Sequence, residues 1–152
     1  MAAEHGSLAS VRELCDWRAQ VEANFGGWTP LFWASGKGQV DLVRELLARG
    51  ASIEAATNAG VTSLHVASRI DRLDIVSELL AHGADPNTAT VYGETPLIET
   101  SRWGHIEVVR ALLDAGANKH RVDNNGDTAA SVAGGYRPHS RVAIRALLAA
   151  AP

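Results

Sequence analysis

Apolar residues recur along this chain at helical spacing in three similar blocks. Val40, Val43, Leu46 and Leu47 are followed by Leu73, Val76, Leu79 and Leu80, and then by Ile106, Val109, Leu112 and Leu113. Each set places its apolar side chains on one face of a helix. Each block runs into a glycine, Gly50, Gly83 or Gly116, where a left-handed residue closes the helix. A second landmark precedes each block: Gly27-Trp28-Thr29-Pro30-Leu31, Gly60-Val61-Thr62-Ser63-Leu64 and Gly93-Glu94-Thr95-Pro96-Leu97, with a fourth copy at Gly126-Asp127-Thr128-Ala129-Ala130. Its threonines stand at 29, 62, 95 and 128, a step of 33 each time. Thr29 and Thr95 suit the cap of a helix, and Pro30 and Pro96 suit its first position, where a missing N–H costs nothing. The pattern predicts a repeated unit of short helix, turn and second helix, joined to the next by a hairpin-like loop of small and turn-forming residues such as Ala84-Asp85-Pro86-Asn87-Thr88-Ala89.

The ends depart from this period. Gly6 to Glu22 aligns with Gly38 to Glu54 and puts Leu14-Cys15 on Leu46-Leu47, so a half repeat is expected first, either a cap or the end of a longer array. At the other end Gly134-Gly135-Tyr136-Arg137-Pro138 adds two residues between the helices, which predicts an irregular final unit. Asp71 stands where the neighbouring units have Gly38 and Gly104, and aspartate is one of the few residues that accept left-handed geometry, so local strain is expected there.

In its turns, helices and period the chain resembles the ankyrin repeat family over nearly its whole length. The resemblance implies an all-α ankyrin-repeat solenoid, one domain over 1–152, with a half repeat at 1–23, repeats at 24–56, 57–89 and 90–122, and a capping repeat at 123–152. It also implies a concave surface made of loop tips and first helices, with the second helices outside.

Composition narrows the function. A formal net charge of -3 gives no reason to expect generic nucleic-acid binding, which needs a basic stripe. No apolar run approaches the length of a membrane span or resembles a signal peptide, and the lone Cys15 can form no internal disulfide; an intracellular, cytoplasmic or nuclear protein is the expectation, monomeric by default. Cys15 replaces a core leucine and reads as packing. The six histidines lack ligand spacing: His65 and His105 fall at positions where the family's histidines support loops, and His5, His82, His120 and His139 are scattered. Asp123-Asn124-Asn125-Gly126-Asp127 has its glycine at the wrong place for a calcium loop, and Gly36-Lys37-Gly38 lacks the frame of a phosphate loop. No catalytic group, metal site or cofactor is expected, and the chain does not read as an enzyme.

The aligned groove positions hold six of the chain's eight aromatics. The candidate partner-binding residues are Phe25, Trp28, Trp33 and Lys37, then Arg69 and Ile70, then Tyr92, Glu94, Glu99, Arg102 and Trp103, with Tyr136 less securely placed. Trp, Tyr and Arg dominate binding hot spots. Lys37, Arg69 and Arg102 recur at nearly equivalent places and predict a short cationic ladder beside the tryptophans, fit for a protein segment that is apolar or acidic. An alternative use for Trp33 and Tyr136, and for Trp28 and Trp103, is packing between neighbouring first helices. A second function reading is small-ligand binding. The stretch from Gly26 to Leu31 is similar to a repeat in the ankyrin domain of the 2-5A-dependent ribonuclease, which grips oligoadenylate. That resemblance implies a stacking role for Trp28, a base-reading role for Glu99 and a groove aromatic at Trp103. Glu94 stands where the second stacking aromatic is expected, and Thr57 and Asp123 stand where phosphate-contacting cations are expected.

Overall fold

A computed structural model describes residues 27–152. The half repeat expected over 1–23, Phe25, Cys15 and His5 lie outside the described residues. Helices α1 (Pro30–Gly36), α3 (Ser63–Arg69), α5 (Pro96–Trp103) and α7 (Ala129–Val132) are the first helices of successive units, and α2 (Val40–Ala48), α4 (Leu73–Ala81), α6 (Ile106–Asp114) and α8 (Arg141–Ala150) are the second. First helices pack on first helices and second on second, giving two parallel rows. Among the described residues no helix is long and apolar enough to cross a membrane.

The expected capping is present. Thr29 Oγ1 accepts from Phe32 N at 3.2 Å and Thr95 Oγ1 from Ile98 N at 3.3 Å, each with a proline opening the helix. Between the rows lies the core. Val43, Leu46, Val76, Leu79, Val109 and Leu112 are fully buried, as their spacing predicts. So are Leu42, Ile75 and Val108, which the spacing argument did not single out. The rim position differs: Leu73 is 39% exposed. Each second helix touches its own first helix and the second helices of its neighbours, so its apolar arc is wider than a single seam.

Tight stacking is visible at the hairpins. Gly27 has φ +89°, and a Cβ placed there would lie 2.1 Å from Thr57 Cα in the next unit, so only glycine fits this approach. Asp71 takes φ +62°, the left-handed turn expected of it. Its Oδ2 lies 3.7 Å from Arg137 Nη1 in the final unit.

The C-terminal insertion builds an irregular cap. α7 has only four residues; the chain then turns through Gly134 at φ +68° and a short 3-10 helix, Pro138–Ser140. Gly134 N donates to Ser101 O at 2.8 Å and Tyr136 N to Arg102 O at 3.0 Å. The insertion thereby satisfies carbonyls at the end of α5 that a helix leaves unpaired.

Ser35, Ser68 and Ser101 form another 33-residue series. All three are fully buried, and among the described residues their hydroxyls have no hydrogen-bond partner. An unpaired buried hydroxyl costs free energy, so Ser68→Ala should raise stability by about 1 kcal/mol, read as a higher urea midpoint with an unchanged slope.

Candidate functional site

Hairpin tips and first helices together make one continuous face. Val91 N donates to Ala59 O at 3.0 Å and Asn124 N to Tyr92 O at 2.9 Å, so each tip is pinned to the one before it. Below the tips, three equivalent residues brace the loops from within. Thr57 Oγ1 accepts from Val61 N, Thr90 Oγ1 from Tyr92 N and Glu94 N, and Asp123 Oδ1 from Asn125 N at 2.8 Å and Asp127 N at 3.0 Å.

At one end of the face Trp28 is 43% exposed. Its ring meets Phe32 edge-on at 4.9 Å and lies tilted against Trp33 at 5.2 Å. Phe32 is buried and Trp33 half-buried, so this cluster is anchored in the core and open on one side. Lys37 caps α1, is exposed, and makes no ion pair among the described residues.

At the other end Trp103 and Tyr136 are stacked, centroids 4.4 Å apart and planes 27° from parallel. Tyr136 is 63% exposed. Packing and exposure coexist in both clusters, since one ring face is covered by another aromatic and much of the rest is open. Ile70 and Tyr92 are also exposed.

The middle of the face corrects the cationic ladder. Arg102 is bound by Glu94 and also reaches Asp123 Oδ2 at 3.3 Å, while Arg69 Nη1 lies 3.7 Å from Glu99 Oε1. Two of the three expected cations are therefore already paired, and only Lys37 is available. The cause is in the tertiary stacking: Asp123 comes from the next hairpin and Glu99 from the next helix, too distant in sequence for the alignment to pair them.

Among the described residues Glu99 is the most strongly perturbed group. Burial pushes its carboxyl up to about 7; Arg69 opposes the shift, Glu94 adds to it and Arg102 opposes it. Its side chain is 12% exposed. Asp123 is held below the usual carboxylate range: burial raises it, but the N–H groups of Asp127 and Asn125 and the Arg102 guanidinium outweigh that.

His65 works as structural support. Its Nδ1 accepts from Thr62 N at 3.2 Å and contacts Thr62 Oγ1 at 2.9 Å, which leaves Nε2 to donate to Glu94 O in the next unit at 3.2 Å. His105 Nε2 donates likewise to Arg69 O at 2.9 Å. Neither belongs to a metal cluster, and among the described residues no group of His, Cys, Asp or Glu side chains could hold a metal ion.

Sequence reasoning missed the role of Asp123. A signal was available, because Thr57, Thr90 and Asp123 are 33 apart. A carboxylate in a hydroxyl's place has a second oxygen, and here that oxygen meets Arg102.

The family model described as ankyrin repeats (3 copies) matches residues 1–90 and 64–150. Among curated proteins, "Ankyrin repeat, SAM and basic leucine zipper domain-containing protein 1" from Equus caballus is 51% identical over 47 residues, which is 30% of this chain and 10% of that protein. Its Homo sapiens counterpart is 46% identical over 48 residues, 31% of this chain and again 10% of the relative. The matched region thus spans about a tenth of these relatives' length. Repeats of this kind generally mediate protein–protein interaction and are generally not enzymes. With two rows of stacked helices, hairpins repeated every 33 residues and family matches along nearly its whole length, the chain belongs to the ankyrin repeat family.

Proposed function

We propose that this chain is a non-catalytic scaffold, acting inside the cell, that binds a segment of another protein along the face made by its hairpin tips and first helices. The observation that carries this reading is the pair of half-open aromatic clusters, Trp28 with Trp33 and Trp103 with Tyr136, at opposite ends of that face. Large aromatic surface left in water is unfavourable unless used, and rigid aromatics buried on association supply much of the affinity of protein interfaces. Lys37, Ile70 and Tyr92 extend the same surface in the proposed interface. Pairing of Arg69 and Arg102 with carboxylates favours a protein partner over oligoadenylate or another nucleotide, because it leaves phosphates without a strong cationic seat.

The test is retention. Proteins from a cell extract are passed over the immobilised chain and over a Trp28→Ala, Trp103→Ala variant whose circular dichroism matches the parent. A partner held by the parent should bind the variant at least about thirtyfold more weakly, the loss expected when hot-spot aromatics worth about 2 kcal/mol or more are removed. Equal retention by both would place the interface elsewhere, and release by oligoadenylate would favour the nucleotide reading.

A further inference from the structure

We propose that this face, between its middle and its Trp103–Tyr136 end, seats a basic side chain of the partner protein, its ammonium or guanidinium held by the Glu99 carboxyl and its stem lying along the Trp103–Tyr136 stack. The proposal rests on the binding reading above and gives its partner a chemistry.

The Glu99 side chain is 12% exposed, and its carboxyl, which keeps some contact with solvent, accepts no hydrogen bond among the described residues. The nearest cation, Arg69, stands at 3.7 Å, beyond hydrogen-bond reach, and its side chain is 44% exposed and able to turn towards solvent. Arg102, three residues further along α5, is taken up by Glu94 and Asp123. Glu99 thus keeps acceptor capacity that the fold leaves unused.

Its surroundings select the sign of the ligand. Among the described residues on this part of the face, the carboxyl groups of Glu94, Glu99, Asp123 and Asp127 outnumber the guanidiniums of Arg69 and Arg102, and Arg137, beside Tyr136, is offset by Asp71 at 3.7 Å. An incoming acidic side chain would meet net negative charge, and a basic one is attracted. Trp103 follows Glu99 by four residues on the same helix, which puts both on one side of α5. Tyr136, stacked on Trp103 and largely exposed, offers a ring surface of the kind that attracts cations and covers the alkyl stem of a lysine or arginine. A partner's donor placed within hydrogen-bond distance of Glu99 would complete what Arg69 only approximates.

The experiment is an NMR titration of the full chain with N-acetylargininamide and, separately, with N-acetylglutamate amide. The arginine probe should move the Trp103 indole N–H and the Glu99 carboxyl resonances. It should also lower the Glu99 titration midpoint from about 7, because proton and cation compete for one carboxylate whose other charged neighbours are Arg69, Glu94 and Arg102. Glu99→Gln should weaken the probe roughly fivefold, the scale of a partly exposed ion pair. Arg69→Gln should strengthen it, since a competing cation is gone. A purely structural role for the pair would make both substitutions act in the same direction. Circular dichroism checks each variant's fold, and Arg69→Gln tests the sign independently if Glu99→Gln does not fold. Preference for the glutamate probe, weaker arginine binding by Arg69→Gln, or no response at Glu99 and Trp103 would overturn the proposal. Retention lost in the tryptophan variant alongside such a result would leave the binding face with a partner of different chemistry, whereas unchanged retention would remove both readings.

Discussion

Asp123→Ala should destabilise the chain by about 2–4 kcal/mol, the range for removing one partner from a buried, charge-assisted cluster. The side chain is 1% exposed. Its Oδ1 holds the amides of Asn125 and Asp127, and its Oδ2 meets Arg102. Alanine leaves two loop amides without their acceptor and Arg102 with Glu94 alone. The last hairpin should loosen first, because each repeat is stabilised mainly by its neighbours. In urea denaturation the variant should unfold at lower concentration, with the amides of Asn125 and Asp127 losing hydrogen-exchange protection ahead of the rest. The acid limb has a defined sign. Because the folded-state value of Asp123 lies below its ordinary 3.8, its contribution is fully present above that value and is lost as pH falls through the folded one. The parent should therefore lose stability on acidification that the variant has already lost. An unchanged midpoint would show that the cluster contributes nothing net.

His65→Ala should cost about 2–4 kcal/mol, combining a cavity in a fully buried site with the loss of hydrogen bonds to Thr62 and to Glu94 O. Burial is the main cause lowering the His65 value beneath its ordinary 6.5, against smaller raising effects from Glu94. Between the folded value and 6.5 the unfolded chain binds more protons than the folded one, so the contribution of His65 is complete above 6.5 and declines as pH falls. Glu99 acts in the opposite sense. Its folded value of about 7 lies above the ordinary 4.5, so its share of stability is present below 4.5 and is lost as pH rises to about 7. The two windows overlap, and the parent's pH profile alone would conceal both. The difference between parent and His65→Ala isolates the histidine: it should be largest at neutral pH and shrink as pH falls below 6.5. A difference independent of pH would mean that the site accommodates imidazolium.

Much of the fold was legible because its repeat is local. Thr29 and Thr95 cap helices, the prolines open them and the glycines end them through contacts within a few residues, and sequence spacing states such contacts directly. Asp71 was legible for the same reason, since its left-handed turn depends on its own backbone. The placement of Trp28, Trp33, Lys37, Arg69, Ile70, Tyr92, Glu94, Glu99, Arg102 and Trp103 on one face follows from their register in the 33-residue period.

What each of those side chains touches was not legible. Arg102 reads as a free cation until the next hairpin brings Asp123 beside it, and Tyr136 reads as part of an irregular insertion until that insertion bonds to the end of α5 and lays the ring on Trp103. The same holds for the core, where Leu42, Ile75 and Val108 are buried by neighbouring second helices. The repeat, its caps and the register of the candidate residues within it were readable from residue order alone, because these depend on short-range backbone geometry and periodicity. Tertiary stacking alone decided which charges are neutralised, which aromatics are paired and how far Glu99 is shut away from water, because those are distances between residues of different repeats, and electrostatic and packing energies depend on distance and burial.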